Sequence, residues 1–314
     1  MLLAPMAQAL RQEHSPTVLS PFPFLQAVTE RDRRWPRVAA MAAATPAAVM
    51  LLSLVFAIVL GTLTGGAMFE DTGGPRLQRS AIYVLQLGIG LGAMGLAVLL
   101  AARYVFGRPI ATWLTAAPRF RWRLLLVGAA LTVVGVGVLM VADLVLNPHE
   151  FQMPIFDPGA GLGLKAFYAL AVVAGLLVAA TAEEAVFRGY LLQQTAAFTR
   201  NVWVLIVVNA AAFALAHLEF DPGAMAARAL AGAAFAWAAL RLGGLEFAIG
   251  AHVATNLMIA FFQAPMLPDD PEVTGGLDET LIEVLLAFYM VAVVELVRRS
   301  PRLMAPFAST SSRA

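Results

Sequence analysis

The chain has 314 residues, 60% of them hydrophobic and 13% charged, with a mean hydropathy of +0.78. A soluble globular domain is nearer about 45 to 50% apolar and 25% charged, so the composition excludes one and indicates an integral membrane protein. Lys and Arg number 21 against 20 Asp and Glu, which gives no basic excess for a nucleic-acid partner, and the lack of Cys excludes disulfides, Cys-ligated zinc, iron–sulfur clusters and a thiol nucleophile.

Residues 1–37 contain several prolines and then Arg31, Arg33, Arg34 and Arg37, and read as a cytoplasmic tail ending in a basic membrane-surface segment. A spanning helix needs about 20 apolar residues. Eight runs qualify as candidates: 38–63, 80–102, 124–146, 165–195, 202–218, 224–241, 245–264 and 280–297. None alternates in the way a membrane β-strand does, so the expected fold is an all-α polytopic bundle of about eight transmembrane helices over 38–298. Residues 299–314 read as a disordered tail.

The loops have a charge asymmetry. Arg103, Arg108, Arg119, Arg121 and Arg123 fill the second loop, and Arg200, Arg241, Arg298, Arg299 and Arg302 mark later ends on the same side. The opposite side holds Glu70, Asp71, Glu150, Asp157, Glu219, Asp221, Asp269, Asp270, Glu272, Asp278 and Glu279, with Arg76, Arg79 and Lys165 as exceptions. Cytoplasmic loops carry the Lys/Arg excess, so both termini are expected in the cytoplasm. Small residues recur in "LGIGLGAMG" (87–95) and "ARALAGAAFAWAAL" (227–240), a pattern for close helix packing.

Ionisable groups inside a bilayer are costly and need a partner or a purpose. The fourth run, "LLVAATAEEAVFRGYLL", carries Glu183, Glu184 and Arg188. Glu184 and Arg188 are at i and i+4 and can neutralise one another, whereas Glu183 is rotated roughly 100° away. The fifth run ends in "FALAHLEF", with Phe213 and His217 on one face, and the seventh contains "GAHVATNLM", with His252 and Asn256 on one face. At about 1.5 Å of rise per residue these groups can meet within one mid-membrane cavity. Taken singly, the Glu184–Arg188 pair could be an inert ion pair, His217 an interfacial residue, and His252 with Asn256 a hydrogen bond between helices. Together they suit the activation of water by a carboxylate and imidazole, with Asn or His donating to an oxyanion. The zincin pattern H-E-x-x-H is absent, so a metal would have to be held by Glu183, His217 and His252 from three helices.

The order "EEAVFR", "FALAH", "HVATN" resembles the EExxxR, FxxxH and HxxxN motifs of the CPBP family, the type II CAAX prenyl proteases and bacteriocin-processing enzymes also known as Abi proteins. The resemblance covers about 165–264, which it marks as a protease core. It implies that Glu183 activates the hydrolytic water with His217, that His252 and Asn256 stabilise the oxyanion, and that Glu184, Arg188 and Phe213 support the site. Zinc is compatible with this reading and not required by the motifs. The expected partners are membrane lipid and a membrane-associated peptide or protein substrate, and the expected location is a bacterial cytoplasmic membrane. Two alternatives stand beside the peptidase: a non-proteolytic scaffold or regulatory protein that binds partners through the same cavity, and a proton-coupled transporter.

Overall fold

The computed structural model describes residues 21–66, 68, 73–146, 148, 151–267 and 277–304, with the side chains of 277–280 outside the description. Expectations for residues 1–20 and 305–314, and for the loop acids Glu70, Asp71, Glu150, Asp269, Asp270 and Glu272, lie outside these residues.

Long apolar stretches in lipid can satisfy their backbone groups only internally, and each predicted run is helical. We number the helices α1 Trp35–Thr64, α2 Arg76–Phe106, α3 Trp122–Leu146, α4 Leu162–Glu184, α5 Val202–Ala216, α6 Pro222–Leu242, α7 Glu246–Met258 and α8 Leu277–Arg298. α4 continues without a break through a π-helical turn, Ala185–Leu191, into Leu192–Ala196, and α7 continues into a second π turn, Ile259–Gln263. Local chemistry sets several ends. Asn201 accepts the Trp203 N–H at 3.0 Å and Asp221 accepts that of Ala224 at 3.0 Å, capping α5 and α6. Gly107 and Gly243 close α2 and α6 in the left-handed region.

The fold is all-α and polytopic. Among the described residues, five helices are long and apolar enough to cross a membrane: Trp35–Thr64, Arg76–Phe106, Trp122–Leu146, Leu162–Ala196 and Pro222–Leu242. Val202–Ala216 is a shorter apolar helix. α1 is peripheral: Met41 is its buried residue, while Leu51, Leu54, Ile58 and Leu63 are all exposed, as suits a face turned to lipid.

Inside, small residues let helices approach. Gly88 of α2 faces Gly175 of α4 so closely that a Cβ on Gly88 would lie 2.8 Å from the Gly175 Cα, and Gly95 faces Ala182 one step deeper. Gly128 of α3 backs onto Phe247 of α7 in the same manner. α4 and α7 also pack on each other, and α6 packs between α5 and α8. These contacts place the three motif-bearing helices α4, α5 and α7 around one interior.

The arginine-rich ends converge on one end of the bundle. Arg121 grips Glu246 through Nε and Nη2 at 2.9 and 2.7 Å, with Nη1 on the Leu242 carbonyl at 2.8 Å, and Arg241 pairs with Glu295. Part of the amino-terminal segment is drawn into the bundle: residues 21–34 form short 3-10 turns in which Phe24, Leu25 and Val28 are buried while Arg33 and Arg34 stay exposed. Phe24 and Leu25 share a core cluster with Ala185, Leu192, Leu205 and Leu240. Asp32, 1% exposed, accepts Arg108 at 2.8 Å and both the N–H and hydroxyl of Thr29 at 2.7 Å, while Arg108 also donates to Gln193 and covers the Trp113 ring at 3.7 Å. An apolar anchor and a buried, hydrogen-bonded ion pair explain why this segment is drawn inward. At the other end, Pro301–Met304 is a short helix whose Leu303 and Met304 pack against the core, so the expected disordered tail does not begin at 299.

Candidate active site

Glu183 and Glu184 sit on the last turn of α4, immediately before the π turn. Being adjacent, they point in different directions: the Glu184 side chain is fully buried, and that of Glu183 is 17% exposed and lines a cavity of about 560 Å³. The π turn carries Arg188 back beneath Glu184, and Arg188 Nη1 donates to Glu184 Oε1 at 2.9 Å. Single π turns interrupting α-helices recur at functional sites, and nothing in the hydrophobic pattern signalled this one.

α5 is only 15 residues long and delivers His217, at its C-terminal cap, to the wall of the cavity. His217 Nδ1 lies 2.8 Å from the Phe213 carbonyl. A carbonyl only accepts, so Nδ1 carries the proton and Nε2 is the lone-pair nitrogen of the neutral ring. The chain then turns away through Leu218, whose φ of 56° is left-handed and strained for a non-glycine residue.

α7 supplies His252 and Asn256, and both line the same cavity. His252 is held from three sides. Its Nδ1 lies 3.0 Å from Glu184 Oε1, its Nε2 lies 3.4 Å from Glu183 Oε2, and Phe235 stacks on its ring at 5.2 Å and 22°. Both nitrogens therefore face carboxylate oxygens, an arrangement satisfied when the ring donates through each of them or when one carboxylate holds the shared proton.

Arg188 is fully buried between aromatic rings, with its guanidinium carbon 4.2 Å from the Phe213 centroid and 5.2 Å from that of Phe235. Nη2 reaches the Gly232 carbonyl at 3.3 Å. Phe213 thus does more than wall the cavity: it is a cation–π partner of Arg188 and an edge-on neighbour of His217 at 4.8 Å.

The structure brings Glu183, His217, His252 and Asn256 to one cavity, with Glu184, Arg188 and Phe213 behind them. The sequence reading missed Phe235 and Gly232, which lie in the small-residue stripe of α6 and were readable only as packing. It also missed Arg228, which lines the cavity and pairs with Glu219, although an arginine within an apolar helix is itself a signal. Among the described residues, no three His, Cys, Asp or Glu side chains, Glu183, His217 and His252 included, are grouped closely enough to hold an ion.

Comparison with known proteins agrees with the motif region. The family model described as "Type II CAAX prenyl endopeptidase Rce1-like" matches residues 165–258. The chain is 28% identical over 186 residues to the uncharacterized protein YyaK of Bacillus subtilis (strain 168), a match that takes in 57% of this chain and 60% of that relative's length. No solved structure gives a significant match.

Proposed function

We propose that this chain, through its type II CAAX prenyl endopeptidase Rce1-like segment, is an intramembrane endopeptidase that hydrolyses a peptide bond in a membrane-associated peptide or protein. The observation that carries the reading is the meeting of Glu183, His217, His252 and Asn256 on one cavity set in apolar helices. Water bound between Glu183 and the Nε2 of His217 loses a proton to one of them as its oxygen attacks the scissile carbonyl. His252, aligned by Glu184, and the Asn256 amide donate to the oxyanion that forms. The proton taken from water then passes to the departing amine. Leu87, Leu91, Leu176, Leu286 and Met290 line the rest of the cavity and suit an apolar or lipid-bearing segment of substrate. The arginine-rich loops support a reading in which the enzyme sits in a bacterial cytoplasmic membrane with both termini in the cytoplasm.

The test is cleavage of a library of fluorogenic lipidated and unlipidated peptides by detergent-solubilised protein, comparing wild type with Glu183→Ala, with and without chelator. The expected result is a product formed by wild type and lost in the variant. If the two proteins behave alike across the library, the cavity serves partner binding and the peptidase reading falls.

A further inference from the structure

A second cavity, of about 220 Å³, adjoins the first: Ala227, Thr255, Ile259, Glu283 and Leu286 line both. Its other walls include Met140 and Asp143 of α3, Gly223 and Ala224 of α6, and Gln263 at the end of the α7 π turn. All four helices reach this cavity at the same end of the bundle, opposite the arginine-rich loops. Asp143 is three residues from the end of α3, Ala224 two from the start of α6 and Glu283 six from the start of α8. At about 1.5 Å per residue these depths run from roughly 3 to 9 Å, whereas Thr255 lies eight residues, roughly 12 Å, in from Gln263.

The polar residues along this line are out of place in apolar helices. Gln263 at the helix end, then Asp143, Glu283 and Thr255, succeed one another inward toward Asn256 and His252, and none is a defining residue of the three motifs. Polar groups at membrane depth occur where they line water or each other. At about 30 Å³ per water molecule the second cavity has room for several. Hydrolysis consumes one water per bond cleaved, and the main cavity is walled largely by apolar side chains, so the site needs a wet route.

We propose that the second cavity is the water vestibule of the site: water enters between the ends of α3, α6, α7 and α8 and passes the neck at Ala227 and Thr255 to reach Glu183. The inference rests on the peptidase reading for its purpose, but its test does not need cleavage.

The chain has no cysteine, so single cysteines can be placed and probed with a charged, membrane-impermeant thiosulfonate, applied in turn to each face of the membrane. Met140 lines the vestibule and its neighbour Val141 is 63% exposed on the lipid side. Met140→Cys and Gln263→Cys are expected to react, and Val141→Cys at the same depth to stay unmodified. Thr255→Cys, at the neck, is expected to react at least tenfold more slowly once Ala224→Phe fills the vestibule. Equal labelling of Met140→Cys and Val141→Cys, no labelling of either Met140→Cys or Gln263→Cys, or an unchanged Thr255→Cys rate behind Ala224→Phe would each overturn the proposal. A chain that cleaves nothing yet labels as expected would leave the vestibule standing and remove the peptidase reading alone.

Discussion

Glu184 Oε1 lies 3.0 Å from His252 Nδ1, so the second glutamate of the first motif holds the histidine of the third. That carboxylate fixes the ring's orientation and proton placement, the service an aspartate gives the histidine of a hydrolytic triad. Glu184→Gln keeps the shape and can still accept a hydrogen bond, but no longer supplies the charge. In the peptide assay, kcat is expected to fall by about 10²- to 10⁴-fold with KM little changed, as for loss of a triad carboxylate. A kcat within a few-fold of wild type would show that His252 does not depend on Glu184.

Among the described residues, the same carboxylate is the charge partner that Arg188 reaches at hydrogen-bond distance in its buried aromatic slot. Removing one member of a buried pair leaves the other uncompensated, at about 3 to 5 kcal/mol. Arg188→Met is therefore expected to lower the melting temperature in detergent sharply, and Arg188→Met with Glu184→Gln to regain much of the loss. Phe213→Leu, which keeps bulk and removes the ring beneath the guanidinium, should cost about 1 to 2 kcal/mol. Equal melting of Arg188→Met and wild type would mean that Glu184 is neutralised by other means.

Much of this site was legible because lipid makes polar residues conspicuous. Glu183, Glu184, Arg188, His217, His252 and Asn256 all stood out against apolar helices, and their i, i+4 spacing told which shared a face. What stayed hidden has two physical origins. Phe235 and Gly232 act through an aromatic face and a backbone carbonyl, which a hydrophobic pattern cannot distinguish from packing. The π turn depends on the hydrogen-bond register of the backbone, and Ala185–Leu191 reads in sequence as continuous α-helix. The inward packing of Phe24, Leu25 and Asp32 stayed hidden for another reason: the neighbouring arginines outweigh the two apolar residues in the pattern, and the partner that draws Asp32 inward lies 76 residues away at Arg108.

The Gly88–Gly175 crossing sets the distance from α2 to the helix that carries Glu183. An added methyl at Gly88 would meet Gly175 backbone, which cannot swing aside as a side chain does. Gly88→Ala is expected to cost about 1 to 3 kcal/mol and Gly88→Leu more. Gly90 provides the control, because a methyl added there would have nothing within 4 Å: Gly90→Ala should melt like wild type. Similar melting of Gly88→Ala and Gly90→Ala would show that the helices separate freely.

The amino-terminal turns lie outside the Rce1-like range, yet Phe24 packs in one cluster with Ala185, the first residue of the π turn. Burial pushes the Arg108 guanidinium below its ordinary range, and the charge and hydrogen bond of Asp32 oppose that shift. Asp32→Ala removes the opposition and strands a buried cation, at about 3 to 5 kcal/mol. Phe24→Ala opens a cavity of aromatic size, at about 3 to 5 kcal/mol. Both variants are expected to melt lower in detergent. Phe24→Ala should also lose peptidase activity at temperatures where it is still folded, because the π turn that orients Glu184 and Arg188 loses its backing. Phe24→Leu, refilling most of the space, should restore both. If Phe24→Ala melts and cleaves as wild type does, the turns are an ornament on the bundle and the π turn is held from within α4 alone.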